Sequence, residues 1–562
     1  MLSRIVDDTD FINELAKITD VKGSASGVLI LGDELKSLGA TVEVSKAEIS
    51  ARYDRVPFPI ILKGGHFSYH DSRIAIEKFD ADIGKSTLRQ FASAIDWSGT
   101  PILNFKTNSA TLNLEEVYSW LLTFDNYKEN LRYIRTLDGN AGVAEVSIKG
   151  PFFNPQAWEF IFRGNLNNLK IDSNQLPRPL HIEKGQFSSN PAGFALTDID
   201  ASLGKSKVSQ LSANFKLNKE TAFDLQTKSV NLFAGEIYPW LSSLETFKPA
   251  LEDFKVTSGN LTLHDIALSG PVHKPNRWHY QVDGDMRSLA VNSDAFVTPV
   301  TVNKGRFELT TATGFIGEAP GKRIKFDPTK LTWGNSRLTF NGDISLQEKD
   351  ILIDSIVSAD EIDWTQINSL LDYIKKKGGA TAGQSARDGH VLGTLNVITD
   401  KFIYDAYSVQ PLRAQISFKP ETATINIERA SVCNIDLRGL LDVNAQTLEI
   451  YLVPTAVDQN LAAAVACFTG EKNMATGTFN LSGELLSKGR PETFGQSFGG
   501  HVAFSAKEGR IYRFGLLAKI LSILNVTEIY RGEVPDLTGQ GFAYRSMKAN
   551  AEFKGDQLIQ KE

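Results

Sequence analysis

The sequence predicts a mainly β fold: an elongated antiparallel sheet of repeated units, curled into a β-taco-like groove, with a few short amphipathic helices at the ends of the units. Three observations support this prediction: motifs that recur at one fixed spacing, apolar residues that alternate with polar ones, and glycine-containing turns between the alternating stretches. The chain has 562 residues, which is too long for one ordinary core. A fixed spacing is the sequence signature of a repeat architecture.

The repeat has a spacing of 120 residues. Pro59, Pro179 and Pro299 begin the related stretches PIILKGGHF, PLHIEKGQF and PVTVNKGRF. These stretches share a glycine and a phenylalanine, at Gly65, Gly185 and Gly305 and at Phe67, Phe187 and Phe307. The same spacing aligns GPFFNPQAW (150–158) with GPVHKPNRW (270–278), and EVYSWL (116–121) with EIYPWL (236–241). Three motifs in one register indicate repeated structural units.

A further repeated stretch, DADIGKSTL at 80–88, contains a Gly-Lys-Ser sequence that is typical of phosphate-binding loops. It returns as DASLGKSKV at 200–208 and, ten residues later in the third unit, as KLTWGNSRL at 330–338. A phosphate-binding loop requires a glycine five positions before the second one, where this chain has Phe79 and Ile199. Alternating residues rather than a helix follow. The pattern therefore predicts a two-residue hairpin turn in each unit, and it disfavours a nucleotide-dependent enzyme.

The predicted strands show the alternation of a sheet with one apolar and one solvated face. Representative alternating pairs are Val146 with Ile148, Leu261 with Leu263, Ile425 with Ile427, and Val502 with Phe504. Short connections that are rich in Gly, Asn, Asp and Ser indicate hairpins and meanders, and hence antiparallel pairing.

Helical spacing appears at equivalent places in the units. It begins after Asn113 and again near Ile237, and a third helix is predicted over residues 359–376. We expect these helices to cover the ends of the sheet, with Trp120 and Trp240 in core packing. A fourth apolar helix is predicted over residues 511–526, buried against the terminal sheet.

The predicted organisation follows from the repeat. A first β unit with a short N-terminal helix spans residues 1–138, and second and third β units span 139–258 and 259–377. The aperiodic, glycine-rich stretch 378–389 is predicted to be a flexible linker. A partial fourth β unit spans 390–490, and a terminal domain that is apparently truncated spans 491–562.

The composition of the chain excludes several classes of partner and site. The net charge of −6 argues against a nucleic-acid partner. The two cysteines, Cys433 and Cys467, exclude a disulfide scaffold, and each is expected to be a buried small apolar residue. No signal peptide or segment long enough to span a bilayer is recognised. The histidines, including His66 and His70, lack a metal-binding pattern, and no catalytic motif or cofactor site is present.

The C-terminal stretch resembles the C-terminal domain of AsmA-like proteins. It runs over residues 499–558 and combines a strand that ends at Gly509, an apolar helix, Pro535-Asp536-Leu537, Gly541-Phe542 and another strand. The upstream units resemble the β-groove body of the same family. This resemblance implies a periplasmic protein of a diderm bacterium, anchored in the inner membrane, that carries phospholipid towards the outer membrane. The chain departs from the family pattern because the usual transmembrane helix is absent and the terminal domain stops early, so we expect an internal or truncated piece.

The residues themselves are compatible with this role. Moving an acyl chain of ~16 carbons through water costs roughly 12 kcal/mol, and an apolar trough removes most of that cost. The predicted groove-lining residues are Phe67, Phe187, Phe307, Val146, Ile148, Leu261 and Leu263; alternatively, the three phenylalanines plug the ends of the units or pack on the helices. The expected partners are phospholipid acyl chains and membrane or envelope proteins at the groove ends, with no nucleotide. The alternative function is a structural or adhesive β-repeat protein of the cell surface.

Overall fold

The structure is a computed structural model of the chain. It describes all residues except 1–12, 14–15, 32–39, 71–72, 97, 108, 124–127, 130, 218–219, 246–247, 313–320, 348–349, 381–389, 445, 491–496, 513–540, 556 and 561–562. The predicted N-terminal helix, residues 381–389 of the predicted linker and residues 513–526 of the helix predicted over 511–526 lie outside the described residues. Residues 378–380, predicted as linker, are instead the end of a helix, and Ile511, predicted as the start of a helix, is the last residue of a strand.

The described residues are mainly strand. Strands β1 to β14 are, in chain order, Ile18–Leu31, Ala40–Tyr53, Val56–His70, Arg73–Ile83, Ser86–Asp96, Ile102–Thr107, Ser109–Asn113, Ile134–Pro151, Glu159–Ser173, Leu180–Asn190, Gly193–Leu203, Ser206–Lys216, Ala222–Phe233 and Lys255–Pro271. Strands β15 to β28 are His279–Asn292, Val300–Ala312, Gly321–Trp333, Ser336–Gln347, Asp350–Asp363, Val391–Tyr404, Tyr407–Phe418, Thr422–Val432, Ile435–Asn444, Leu448–Asn460, Thr478–Gly489, Gly499–Ile511, Phe542–Lys554 and Gln557–Gln560.

The helices are short. Helices α1 to α5 are Leu114–Leu121, Ala234–Ser243, Lys248–Leu251, Trp364–Ala380 and Leu461–Thr469. Two 3₁₀ turns, Pro155–Ala157 and Pro275–Arg277, occupy equivalent places in the repeat. The mainly β repeat fold predicted from the sequence is confirmed.

The chain divides into two compact units. Unit 1 comprises Met1–Pro249 with Asn260–Asp283, and unit 2 comprises Ala250–Gly259 with Gly284–Glu562. In unit 1, consecutive strands from β1 to β5 pair antiparallel, as do those from β8 to β14. Strands β6 and β7 both lie between β5 and β8, so they are two halves of one interrupted strand.

Among the strand pairs that the structure describes in unit 2, one departs from the predicted antiparallel order. Strand β19 pairs in parallel with β20, while the neighbouring pairs β18–β19 and β20–β21 are antiparallel. Helix α4 lies in the connection between β19 and β20. A parallel pair requires a crossover rather than a hairpin, and a helix is its usual form. The helix begins at Trp364, later than predicted, because residues 359–363 belong to β19.

The Gly-Lys-Ser stretch forms the predicted hairpin turn. Gly84, Gly204 and Gly334 have φ values of 55°, 61° and 58°, which glycine adopts at little cost. The turns are closed by paired residues on either side, such as Ile83 with Ser86 and Leu203 with Ser206. The turn amide that would face a phosphate instead faces a carboxylate: Lys85 N donates to Glu116 Oε2 at 2.7 Å, and Lys205 N donates to Glu236 Oε2 at 2.8 Å.

The repeat extends to individual hydrogen bonds. Trp158 Nε1 donates to Pro151 O at 2.8 Å, and Trp278 Nε1 donates to Pro271 O at the same distance. In each case, a Cβ on the preceding repeat glycine, Gly150 or Gly270, would lie 2.7 Å from the indole Cδ1. The shared Gly-Pro and Trp residues therefore form one local packing unit, used twice.

The two predicted helices of the first repeats are confirmed, with capping that differs between them. Asn113 Oδ1 caps α1 by accepting from Glu116 N at 3.1 Å. The equivalent residue before α2, Phe233, has an apolar side chain that makes no capping hydrogen bond. Trp120 and Trp240 are partly buried, and their Nε1 atoms donate to Arg55 O at 2.5 Å and Gln175 O at 2.7 Å.

The expectation that Cys433 and Cys467 are each a buried small apolar residue is wrong for Cys467, which is exposed, although Cys433 is buried. Cys433 and Cys467 form a disulfide bond with a Cα–Cα distance of 5.4 Å. Cys433 lies in the turn between β22 and β23, and Cys467 lies on α5. The bond joins residues separated by 34 positions in sequence, so their proximity depends on the fold rather than on a local pattern.

Candidate functional site

One face of the sheet in unit 1 is built from apolar residues. We define the apolar face of unit 1 as the side that carries Phe187 and its direct cross-strand partners, Gly164 and Leu196. Cross-strand partners share a face because side chains alternate along each strand. When the cross-strand pairs are followed from Phe187 through the neighbouring strands in both directions, this face is found on every strand from β3 to β14.

This face carries no charge at the paired positions that the structure describes between β3 and β14. Those positions hold Leu, Ile, Val, Phe, Ala, Gly, Ser, Thr and Tyr. Serine and threonine occur mainly at strand ends, where their hydroxyls bond to backbone. Ser86 Oγ accepts from Asn113 N at 3.0 Å, and Thr107 Oγ1 donates to Arg89 O at 3.1 Å. The face is therefore apolar across many consecutive strands.

The opposite face of unit 1 carries cross-strand ion pairs. Arg89 Nη1 lies 2.9 Å from Asp82 Oδ1, and Arg163 Nη1 lies 2.8 Å from Glu145 Oε2. The hydrogen bond from Arg89 is the main cause that lowers the pKa of Asp82 below its ordinary value. Asp200 likewise has a lowered pKa, chiefly because Gln210 N donates to its carboxylate at 2.9 Å. Charged side chains are thus concentrated on one side of the sheet in unit 1.

Three predicted groove residues come together in unit 1. Val146, Ile148 and Phe187 belong to one apolar cluster with Phe105 and Phe162. Val146 is buried, whereas Ile148 and Phe187 are only partly buried. Strands β8 and β10 lie on either side of β9, so Phe187 meets Ile148 and Val146, which precede it by 39 and 41 positions, on this face.

Phe67 lies in a neighbouring cluster on the same face. It packs against the buried residues Phe79 and Phe91. Leu88 and Phe105 contact both this cluster and the one around Phe187, so the apolar surface is continuous between them. The contacts of Phe67 in this cluster are with strands, which favours its place on the sheet face over packing on a helix.

Leu261 and Leu263 extend the face to β14. Leu261 pairs with Leu232, and Leu263 pairs with Val230, which itself pairs with Val208. Val208 packs in the cluster around Ile199. All six predicted residues of unit 1 therefore lie on one face. Their role in binding a ligand stays a prediction.

Phe307 occupies the equivalent place in unit 2. It pairs with Phe326, whose ring meets that of Phe340 at a centroid distance of 5.3 Å. We define the apolar face of unit 2 as the side that carries these residues. From β18 to β27, the paired positions that the structure describes on this face hold no charged residue as far as Ala359 on β19 and Thr399 on β20. The next pair along these two strands, Glu361 with Lys401, is charged, and so is Lys322 of β17, which pairs with Leu346 at the end of β18.

Much of this apolar surface is incompletely covered. Phe67, Phe187 and Phe307 are all partly exposed, as are Ile148, Leu261 and Leu263. Phe194 of unit 1 is 37% exposed and Val443 of unit 2 is 37% exposed. In a two-layer domain, the inward residues of a sheet are buried by the second layer. Here the same residues retain access to solvent.

The phenylalanines at the centre of the unit 1 face were not recognised from the sequence. Phe79 and Phe91 have ring centroids 6.2 Å apart, and Phe91 and Phe105 have centroids 5.9 Å apart. Lys78 and Gln90 adopt positive φ values of 57° and 49° just before Phe79 and Phe91. These bulges shift the alternation by one residue, so a strict period of two assigns the wrong face beyond them.

The repeat glycines Gly65, Gly185 and Gly305 have a packing role at this face. A Cβ on each would lie 2.1 Å from Phe79 Cδ2, 2.1 Å from Ile199 Cδ1 and 2.6 Å from Thr329 Cγ2, respectively. The residue on the next strand therefore occupies the space that a side chain would need. The sequence marks these glycines by their spacing, but the reason for them is visible only in the fold.

Other classes of site have little support in the part of the chain that the structure describes. Within it, no group of three or more His, Cys, Asp or Glu residues is arranged to hold a metal ion. Its helices include none with the length and hydropathy needed to cross a membrane. The sequence matches no protein-family model, and no curated protein matches it.

Proposed function

We propose that this protein binds phospholipid acyl chains along its apolar faces and aids their transport between the inner and outer membranes of a bacterial envelope. The observation that carries the proposal is a partly exposed apolar face that is uncharged over consecutive strands in unit 1 and is repeated over much of the sheet in unit 2. The protein acts by binding rather than by catalysis, and the sheet curls around the bound chains to form a groove.

The physical chemistry of an acyl chain fits such a face. Each methylene that leaves water contributes ~0.8 kcal/mol, and no hydrogen bonding is needed to hold it. An unpaired charge on the face would oppose entry because its desolvation is costly. The paired positions around Phe187 and Phe307 offer apolar contact without that cost, while the headgroup stays in water beyond the strand ends.

The proposed location has two supports. The sequence motif at 499–558 and the sequences of the repeat units resemble those of AsmA-like envelope proteins. For such proteins, a periplasmic, membrane-anchored position is expected. The Cys433–Cys467 disulfide is compatible with an oxidising compartment such as the periplasm, where disulfide bonds persist. Envelope or membrane proteins at the ends of the groove are the proposed partners.

The alternative, a structural or adhesive β-repeat protein, makes a different demand on the same residues. It requires the protein's own side chains to fill the apolar faces. The partial exposure of Phe187 and Phe307 favours the lipid-binding proposal over this alternative.

A matched pair of variants tests the proposal. Phe187→Asp places a charge on the apolar face, whereas Gln186→Asp places one on the opposite, solvated face of the same strand. The purified proteins are extracted, and co-purifying phospholipid is quantified by mass spectrometry. We expect wild type and Gln186→Asp to carry phospholipid and Phe187→Asp to lose most of it, with circular dichroism confirming that each variant is folded. Wild-type protein without phospholipid would refute the proposal.

A further inference from the structure

Helix α5 covers one region of the apolar face of unit 2. Its buried residues Leu461 and Ala464 belong to a cluster with Phe479, Ala506 and Met547. Phe479 is 2% exposed and Ala506 is 0% exposed. Residues further along the same strands, such as Leu485 and Val502, are only partly buried. The cover is therefore local to one end of these strands.

The helix itself is short. It contains nine residues, a length at which an isolated helix is marginal in water. Ala463, Cys467 and Phe468 remain exposed. The helix has an Asn460 N-cap, in which Asn460 Oδ1 accepts from Ala463 N at 2.9 Å, and Leu461 N donates to Gly477 O at 2.9 Å. Both bonds lie at its first turn.

The last turn of the helix is held by the disulfide bond. Cys467 is bonded to Cys433 in the turn between β22 and β23. Val465 lies two residues before Cys467, and Ile435 lies two residues after Cys433. Both pack against the cluster beneath α5. Because Cys467 is exposed while Cys433 is buried, a small thiol has access to the helix side of the bond. The last turn also contacts its surroundings through Phe468, whose ring centroid lies 6.4 Å from that of Tyr407, and through Thr469 Oγ1, which donates to Met474 Sδ at 3.4 Å. The disulfide is the covalent link between this end of the helix and the turn between β22 and β23.

We propose that the Cys433–Cys467 disulfide is a reducible latch that holds α5 over the apolar face, and that reduction releases the helix and uncovers the face around Phe479 and Ala506. The identification of acyl chains as the ligand of the uncovered face rests on the function proposed above.

The redox step is a thiol–disulfide exchange with a dithiol as reductant. One dithiol thiolate attacks the Cys467 sulfur, and the Cys433 thiolate leaves and takes up a proton. The second dithiol sulfur then displaces Cys467 as a thiol. Two electrons and two protons pass to the protein, and the reductant ends as a cyclic disulfide.

Hydrogen–deuterium exchange of the full chain tests the latch without any ligand. We expect dithiothreitol to accelerate amide exchange in α5 by roughly tenfold or more, because a local opening no longer has to strain a covalent link. Helix α1 in unit 1 has no cysteine and serves as the internal control, with unchanged exchange. The Cys433→Ser/Cys467→Ser variant should show the fast α5 exchange without reductant.

Unchanged α5 exchange in both reduced wild type and the double variant would overturn the latch. If the double variant is misfolded, α1 exchange rises as well, and reduced wild type then decides the outcome. A second measurement adds vesicles of zwitterionic phospholipid. If the vesicles slow amide exchange in β25 and β26 only after reduction, lipid has access to the uncovered face. If they slow it equally in both redox states, the claim that reduction uncovers the face is overturned. If no strand of either unit is protected by the vesicles, lipid binding itself is contradicted. The amide exchange of α5 then remains the test of the latch.

Discussion

At the scale of single residues, the apolar face depends on where side chains are missing as much as on where they are large. Gly164 lies opposite Phe187, and a Cβ there would lie 2.3 Å from Gly142 O and 2.8 Å from the Phe187 ring. Contacts this close to a backbone carbonyl cannot be relieved by a change of rotamer. Phe187 therefore lies across the sheet because residue 164 has no side chain.

This packing predicts that Gly164→Ala destabilises the protein. We expect the free energy of unfolding to fall by about 1–3 kcal/mol, the usual cost of overpacking a closed site. Gly99→Ala is the control, because a Cβ at Gly99 would meet no atom within 4 Å. Urea denaturation followed by circular dichroism measures both variants. Equal stability of the two would contradict the close packing at Phe187.

Tyr544 gives a second prediction at this scale. Its hydroxyl donates to Thr476 O at 2.6 Å, and burial raises the pKa of the phenol to about 12. The folded state thus keeps its proton where the unfolded chain, with a pKa near 10, has lost it. The stabilisation is complete below about pH 10 and is lost as the pH rises towards 12.

Alkaline denaturation checks this pH dependence. The free energy of unfolding of the wild type should fall between about pH 10 and 12, and we expect it to fall less in Tyr544→Phe. Tyr404→Phe is a suitable control because Tyr404 is 52% exposed, and this change should leave the profile as in wild type. Identical profiles for wild type and Tyr544→Phe would contradict the raised pKa.

At the scale of elements, hydrogen bonds join the hairpin to the following helix in the first two repeats. Ser206 Oγ accepts from Phe233 N at 2.9 Å, just as Ser86 Oγ accepts from Asn113 N. Ser206 is 4% exposed, so water does not readily replace the hydroxyl. The bond joins the start of β12 to the residue that precedes α2.

Ser206→Ala leaves the amide of Phe233 without its acceptor. We predict that the free energy of unfolding falls by about 1–3 kcal/mol, the cost of an unsatisfied buried donor. Ser209→Ala, on an exposed position of the same strand, should change stability by no more than about 0.5 kcal/mol. Thermal unfolding of both variants would measure the difference, and a neutral Ser206→Ala would refute the proposed coupling.

Elements that depend on local chemistry were predictable from the sequence. Gly84 and Gly204 identified the hairpin turns because positive φ is a local requirement, and Asn113 identified the start of α1 by its capping side chain. The parallel pairing of β19 with β20 was not predictable in this way. It depends on the path of the chain through α4 rather than on the residues of either strand.

The candidate site was predictable only in part for the same reason. Spacing alone placed Phe187 and Phe307 at one repeat position, and alternation placed Val146 beside Ile148. The bulges at Lys78 and Gln90 concealed Phe79 and Phe91, because a shift of one residue exchanges the two faces of a strand. The Cys433–Cys467 bond joins residues that only the fold brings together.

At the scale of the whole molecule, each unit separates charge from apolar surface across a single sheet. In unit 1, the Arg163–Glu145 pair lies opposite the cluster around Phe187; in unit 2, the Arg323–Asp343 pair, at 2.8 Å, lies opposite Phe326 and Phe340. A sheet with one uncovered apolar face is unfavourable in water unless something occupies that face. Bound acyl chains would provide that cover in both units.

Site-specific photo-crosslinking to phospholipid tests this occupancy most directly. A photoreactive phenylalanine analogue is placed at Phe187 or Phe307 and, as matched controls on the solvated face, at Gln186 or Arg306. The proteins are irradiated with phospholipid vesicles and analysed by mass spectrometry. We predict phospholipid adducts at residues 187 and 307 and few or none at 186 and 306. Adducts at none of the four positions, or equally at all of them, would contradict lipid binding on the apolar faces.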